Sequence, residues 1–231
     1  MAPTVRAMAP LVEFKDLVID AVDPVALGRW WSSRLNLEFE ALSDGDALLR
    51  GTRPEQAIWI NAVPEPQAVK HRVHLDLHAH DLTAFGGVSR LSEDDEFPWT
   101  VYADSEGGEF CVFVNPGRPV GLKAVVVDAT DHAAIASWWQ DIWGGTLGTD
   151  DDYTYLDDIP GAPVESFDFV PVPEPKTVKN RVHWDVWLRP GATVDDLVVR
   201  GACVLRPRGG ELEWTVMADP EGNEFCVFER R

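Results

Sequence analysis

The chain is expected to fold as an α+β protein built from two like modules, each with a mostly antiparallel sheet, and three observations predict this. The segment Val63-Pro64-Glu65-Pro66, followed by Val69-Lys70, Arg72-Val73-His74 and Asp76, returns as Val172-Pro173-Glu174-Pro175, Val178-Lys179, Arg181-Val182-His183 and Asp185. A second block, Trp99 to Phe113, returns as Trp214 to Phe228, so a duplication of about half the chain organises the molecule. Within each half the pattern then runs strand, helix and several strands, without the strict strand–helix alternation that a parallel sheet requires.

The first strand is expected over residues 12–20, and Asp23-Pro24 then offers an N-cap and a first-turn proline for a helix reaching about Leu35. In the second half residues 122–128 form the matching strand, Asp131 the cap, and Trp138-Trp139 stand on the helix where Trp30-Trp31 stand in the first. One tryptophan of each doublet is expected to pack on a sheet, because neighbouring helical positions point in different directions. Short strands follow near residues 47–50, 57–62, 153–156 and 166–170, then the repeated proline-rich turn and a strand carrying His74 or His183. A brief helical or turn segment begins near Asp81 and again near Val194. Two last strands, within residues 99–114 and 214–229, flank a tight turn read as Asp104-Ser105-Glu106-Gly107-Gly108 or Asp219-Pro220-Glu221-Gly222-Asn223, residue types that suit turn dihedrals. The breaker cluster 115–121 divides the chain into a loose tail (1–10), a first module (11–117) and a second module (118–231).

The chain has 231 residues and a net charge of −19, and both halves are acidic, which argues against nucleic acid as a partner. Ten tryptophans and ten phenylalanines suit an apolar interior or an aromatic-lined cavity. The three cysteines lack disulfide-framework spacing. With no membrane-length apolar run and no signal-peptide stretch, a cytoplasmic protein with no membrane partner is expected.

Strand alternation places His74, Asp76, His78 and His80 on one face, and His183, Asp185 and Trp187 on the matching face of the second half. His78 and His80 are expected in solvent. Glu109 and Cys111 share a face, as do Glu224 and Cys226. Each glutamate is read either as an acid or base raised by an apolar cavity or as an ion-pair partner of Arg72 or Arg181. The cysteines, in a Phe-Cys-Val-Phe setting, are read first as buried hydrophobes. Trp99, Trp214, Trp59 and Trp187, which come from strands, are candidate cavity linings. The acidic run 93–96 is read as a solvated turn.

The helix opening with its double tryptophan, the Val-Pro-Glu-Pro turn leading into Arg-Val-His-x-Asp, and the closing Asp219-Pro220-Glu221-Gly222-Asn223-Glu224-Phe225-Cys226-Val227-Phe228 resemble the vicinal oxygen chelate superfamily of glyoxalases, bleomycin-resistance proteins and extradiol dioxygenases. The resemblance implies two tandem βαβββ modules whose sheets curl around a cavity. It also implies metal-ligand positions on a first strand (Asp16, Ala124), a middle strand (His74, His183) and a last strand (Cys111, Cys226). Alanine has no donor, so no cofactor is expected; a divalent metal at Asp16, His74 and Cys111 is the weaker alternative.

Function is accordingly read as binding of a small organic molecule in a cavity formed by the two modules, with lyase or isomerase chemistry by proton transfer if the protein is an enzyme. His74, His183, Glu109 and Glu224 are the candidate acids and bases, and Asp76, Asp185, Cys111, Cys226, Trp99 and Trp214 the candidate substrate contacts. The alternatives are a non-catalytic drug or metabolite binder and, more weakly, a metal-dependent dioxygenase. The protein is expected to be a monomer or a homodimer.

Overall fold

The computed structural model describes residues 9–93, 96–150 and 152–230, so most of the expected tail and the middle of the 93–96 run lie outside the described residues. The first half opens with β1 (Val12–Ala21), α1 (Pro24–Leu35), β2 (Glu38–Ala41), β3 (Ala47–Arg50) and β4 (Ala57–Ala62). It continues with β5 (Val73–Ala79), a 3-10 turn (Thr83–Phe85), β6 (Ser89–Arg90), β7 (Thr100–Ala103) and β8 (Glu109–Val114). The second half repeats this order as β9 (Gly121–Ala129), α2 (His132–Trp143), β10 (Thr146–Asp150), β11 (Tyr153–Asp157) and β12 (Ser166–Pro171), then β13 (Val182–Leu188), α3 (Val194–Val199), β14 (Cys203–Arg206), β15 (Thr215–Ala218) and β16 (Glu224–Phe228). Each tandem module therefore contains two βαβββ units, the second unit of the first half having a 3-10 turn in place of its helix.

The units pair across the repeat. One eight-stranded sheet runs β14-β15-β16-β13-β1-β4-β3-β2, and the other β10-β11-β12-β9-β5-β8-β7-β6. At their centres β1 lies antiparallel to β13, and β5 antiparallel to β9. Each sheet thus takes one unit from each half of the chain. The two proline-rich straps, residues 63–72 and 172–181, carry the chain from one sheet to the other. They are cross-tied: Arg72 Nη1 donates to the Glu174 carbonyl at 2.6 Å and Arg181 Nη1 to the Glu65 carbonyl at 2.7 Å.

The helices start as their sequences dictate. Asp23 accepts from the Ala26 N–H at 2.9 Å and Asp131 from the Ala134 N–H at 3.0 Å, each satisfying an otherwise unpaired first-turn donor. Leu27, Trp31 and Leu35 on α1, and Ile135, Trp139 and Ile142 on α2, recur at helical spacing and are buried. Both helices lie against both sheets. The Trp31 ring is 5.1 Å from Phe110 of β8, and Trp139 is 5.2 Å from Trp184 of β13 and 5.1 Å from Phe225 of β16. Leu17, Ile19, Leu75, Leu77, Val125, Val127, Trp184 and Val186 belong to the same continuous core. Fully burying one such large side chain is worth about 1.5–3 kcal/mol, and this apolar layer holds the sheets together.

Because the apolar strand faces meet in this shared core, the polar faces turn away from it, one on each sheet. The expectation of one hollow receiving both histidine strands is corrected: His74 lies on one sheet and His183 on the other, each in a polar cluster drawn from both halves of the chain. His78 is likewise buried rather than solvated, with Nε2 at 3.3 Å from Glu165 Oε1, whereas His80 is exposed.

Candidate functional site

On the first sheet, ladder register sets Asp16 of β1 opposite Asp185 of β13, Val18 opposite His183, and Cys226 of β16 beside Asp185. Lys15 would face the core if β1 were regular. It is instead the extra residue of a bulge between Phe14 and Asp16, and bulges re-aim side chains. Its Nζ pairs with Asp16, lies 3.3 Å from Asp185 Oδ2 and sits 4.2 Å over the Phe228 ring. Trp59 Nε1 donates to Asp16 Oδ2 at 3.2 Å. His183 Nε2 lies 3.4 Å from Asp20 Oδ1, Lys179 also pairs with Asp20, and His183 Nδ1 has no hydrogen-bond partner.

The second sheet repeats the arrangement with one transposition. His74 Nε2 lies 3.5 Å from Asp76 Oδ1 and 3.6 Å from Cys111 Sγ. Lys123 is again the unpaired residue of a bulge, since Asp76 pairs with Ala124 and Leu77 with Leu122. Its Nζ is 3.4 Å from Asp76, 3.8 Å from Asp168 and 4.5 Å from the Phe113 ring centre. Asp168 occupies the register of Trp59, beside Val126 as Trp59 is beside Val18. The carboxylate absent at Ala124 is thus supplied from β12.

Burial raises Asp185 to about 6, against the nearby charges of Lys15 and His183 and with help from Asp16. Burial also raises Asp168, opposed by a Ser166 hydrogen bond and by Lys123. Asp20 is pushed up by burial, but the hydrogen bond and charge of His183, with Lys179, outweigh that and lower it. The Cys111 and Cys226 thiols are pushed far up, by burial first and then by Asp76 and Asp185. Such thiols stay protonated and are poor nucleophiles.

His74, Asp76 and Cys111 come together, as do His183, Asp185 and Cys226. Each trio is a candidate metal-ligand group, its donor atoms within 4.8 Å of one another. The set Asp16, His74 and Cys111 is corrected: Asp16 lies on the first sheet and the other two on the second, because the first strand of each half pairs with the opposite half. In kind, an imidazole, a carboxylate and a thiol suit a zinc-type ion. Their surroundings do not suit it, because a lysine ammonium already lies against the same carboxylate in both sites.

Glu109 and Glu224 brace the straps. Glu224 pairs with Lys176 at 2.6 Å and accepts from the Asn180 N–H at 3.1 Å, while Glu109 accepts from the His71 N–H at 3.1 Å. Trp99 packs 5.2 Å from Phe113 and Trp214 stacks 5.4 Å from Phe228, beside the rings that carry the lysines. Sequence reasoning missed Lys15, Lys123, Asp20, Asp128 and Asp168. For the first four a signal existed, since Lys15 and Lys123, and Asp20 and Asp128, are repeat mates. A cavity of about 670 Å³ lies between the straps, reached by Asp20 and Asp128 and flanked by Lys70, Lys179, Arg72 and Arg181.

Paired βαβββ units carrying polar clusters at the centre of their sheets define a vicinal oxygen chelate protein. The sequence profile described as "Glyoxalase-like domain" matches residues 16–113 and 124–228, and the chain belongs to that family. Glyoxalase I from Zea mays superposes with a TM-score of 0.68 at 12% identity, over 94% of this chain and 92% of that one. A putative dioxygenase from Bacillus subtilis gives 0.65 at 10% identity, over 96% and 86%. The cppA protein from Streptococcus pneumoniae gives 0.51 at 10% identity, over 96% and 99%. At such identities the likeness speaks for the fold alone. No curated protein sequence matches the chain.

Proposed function

We propose that the protein binds small organic molecules at its two sheet-centred sites and converts them by proton transfer, as a lyase or isomerase, without an obligatory metal. The observation that carries this reading is Asp185, a buried carboxyl raised to about 6 and set beside His183, Asp16 and the Lys15 ammonium. A carboxylate tuned toward neutrality is a competent general base, since proton transfer is most efficient when the catalytic pKa lies near the working pH. Lys15 would hold the oxygen on which negative charge develops, through a charge-assisted hydrogen bond. Trp59, Trp187 and Phe228 supply apolar surface beside it. His74 and Asp76, with Lys123 and Asp168, form the corresponding group on the second sheet.

The test is hydrogen–deuterium exchange at the carbon next to a carbonyl. A panel of enolisable carbonyl compounds is incubated with the protein in deuterated buffer and followed by NMR. Exchange or conversion of a bound compound that falls at least about 100-fold in Asp185→Asn supports the reading, on the scale general bases contribute. Compounds that bind and keep all their protons would instead show a binder. That second reading is favoured by the strap cavity, whose volume suits a small ligand and whose lysines are already paired with Asp20 and Asp128.

A further inference from the structure

Lys15 and Lys123 share three properties. Both are the extra residue of a β-bulge in the central ladder of their sheet, both lie over a phenylalanine ring, and both have a shielded side chain, 14% and 21% exposed. Each also contacts the aspartate of a His–Asp–Cys trio and a second carboxylate. That second carboxylate comes from different strands, Asp16 on β1 in one site and Asp168 on β12 in the other. The two sites therefore keep the same charge arrangement, two carboxylates around one ammonium, while changing which strand supplies the second carboxylate. A shielded ammonium needs such compensation, because an unpaired charge away from water is costly. A divalent ion on the same trio would have to share Asp185 or Asp76 with a lysine a few ångströms away, and like charges so placed repel.

We propose that Lys15 and Lys123 are the resident cations of the two sites, each standing where a divalent ion would otherwise be held by His183, Asp185 and Cys226 or by His74, Asp76 and Cys111. The bulge is what delivers them, by turning a residue of core parity onto the site face. Removing either lysine converts its site into a metal site.

Cobalt(II) titration at pH 7.5 tests this, read by the near-ultraviolet cobalt–thiolate band and by equilibrium dialysis. The apparent affinity of Lys15→Ala and of Lys123→Ala should exceed that of the unaltered protein about 10- to 100-fold, the scale on which groups beside metal ligands act. The band should vanish when Cys226→Ser is added to the first variant or Cys111→Ser to the second. Lys15→Met and Lys123→Met, which keep the aliphatic stem over the ring, serve if an alanine variant fails to fold. Equal cobalt affinity in the unaltered protein and the lysine variants would overturn the proposal, as would a band that survives the serine substitutions. Because the titration uses no substrate, its failure is distinct from failure of the proton-transfer reading, on which it does not depend.

Discussion

Asp16 lies opposite Asp185 across the β1–β13 ladder, two carboxylates from different halves of the chain meeting at the centre of one sheet with the Lys15 ammonium against both. This meeting has a cost that depends on pH. The folded pKa of Asp185 is raised from 3.8 to about 6, so its favourable contribution to stability is complete below 3.8 and is lost as pH rises through 6. Asp185→Asn removes the titration. The variant is expected to be more stable than the unaltered protein at pH 8, by up to about 3 kcal/mol at 1.36 kcal/mol per unit and hence with a higher melting temperature, the difference shrinking toward pH 4. Thermal melts across that range check it, and a variant less stable at pH 8 contradicts the assigned cost.

The same residue sets the expected pH profile of turnover. A base must be unprotonated to act, so kcat/KM for any compound that exchanges its proton should rise with unit slope up to about pH 6 and level above it. Rates on either side of that point, measured for the unaltered protein and for His183→Ala, provide the check. Removing the electrostatic influence of His183, which lowers the Asp185 pKa, should move the inflection upward. An inflection that stays put assigns the titration to another group.

Much of this was legible in the chain and some was not, for definable reasons. Asp23 and Asp131 announce their helices because an N-cap is a local device, and the alternation of His74, Asp76 and His78 with Leu75 and Leu77 holds whichever strand lies alongside. For that same reason the pairing partner is invisible: β1 presents Leu17 and Ile19 to the core whether it pairs with the first half or the second, so nothing local announced that Asp16 belongs with His183 instead of His74. The edge strands β2, β6, β10 and β14 are short and largely exposed, so little apolar pattern marks them. Lys15 escaped notice because parity assigns it to the core face, and a bulge is the one feature that overrules parity.

His71 and Gly108 illustrate coupling hidden in the repeat. Their mates are Asn180 and Asn223, joined by a 2.9 Å side-chain hydrogen bond. In the first half a Cβ on Gly108 would come within 2.7 Å of His71 Cε1, so the bare glycine makes room for the ring. Gly108→Asn alone should therefore destabilise by about 1–3 kcal/mol, the usual cost of overpacking. Adding His71→Asn recreates the second-half pair and should recover at least about 0.5 kcal/mol beyond additivity. Urea unfolding of the two single variants and the double variant measures this; strict additivity would contradict the pairing.

His71 also has an acid signature. Burial, then the charges of Arg181, His74 and Lys70, lower it from 6.5 to about 4. A histidine with a depressed folded pKa contributes stability that is full above 6.5 and lost as pH falls through 4. His71→Asn should flatten the stability curve between these values while changing little at pH 8. Unfolding midpoints at pH 4.5, 6 and 8 test it, and an unchanged slope would place the acid sensitivity elsewhere.

Glu106 and Glu221 hold the turns of one sheet against the helix entrances of the other. Glu106, between β7 and β8, accepts from the Val22 N–H at 2.9 Å and the Asp23 N–H at 2.8 Å, immediately before α1, and meets Arg181 at 3.2 Å. Glu221, between β15 and β16, accepts from Thr130 N–H at 2.7 Å and Asp131 N–H at 2.6 Å, immediately before α2. Each carboxylate thus orients the cap residue that starts a helix in the shared core. Replacing either glutamate by alanine frees two backbone donors at once, so a loss of about 1.5–3 kcal/mol is expected, as for hydrogen bonds to charged groups. Glutamine, which keeps one carbonyl acceptor, should recover part of it. Arg181 distinguishes the two: Glu106→Ala also strands that guanidinium beside the strap, whereas the third partner of Glu221 is the neutral Thr130 hydroxyl, donating at 2.8 Å, so Glu106→Ala should cost more than Glu221→Ala. Denaturant unfolding of the four variants decides this, and equal losses would show that the Arg181 ion pair adds no more to its clamp than the Thr130 hydroxyl adds to the other.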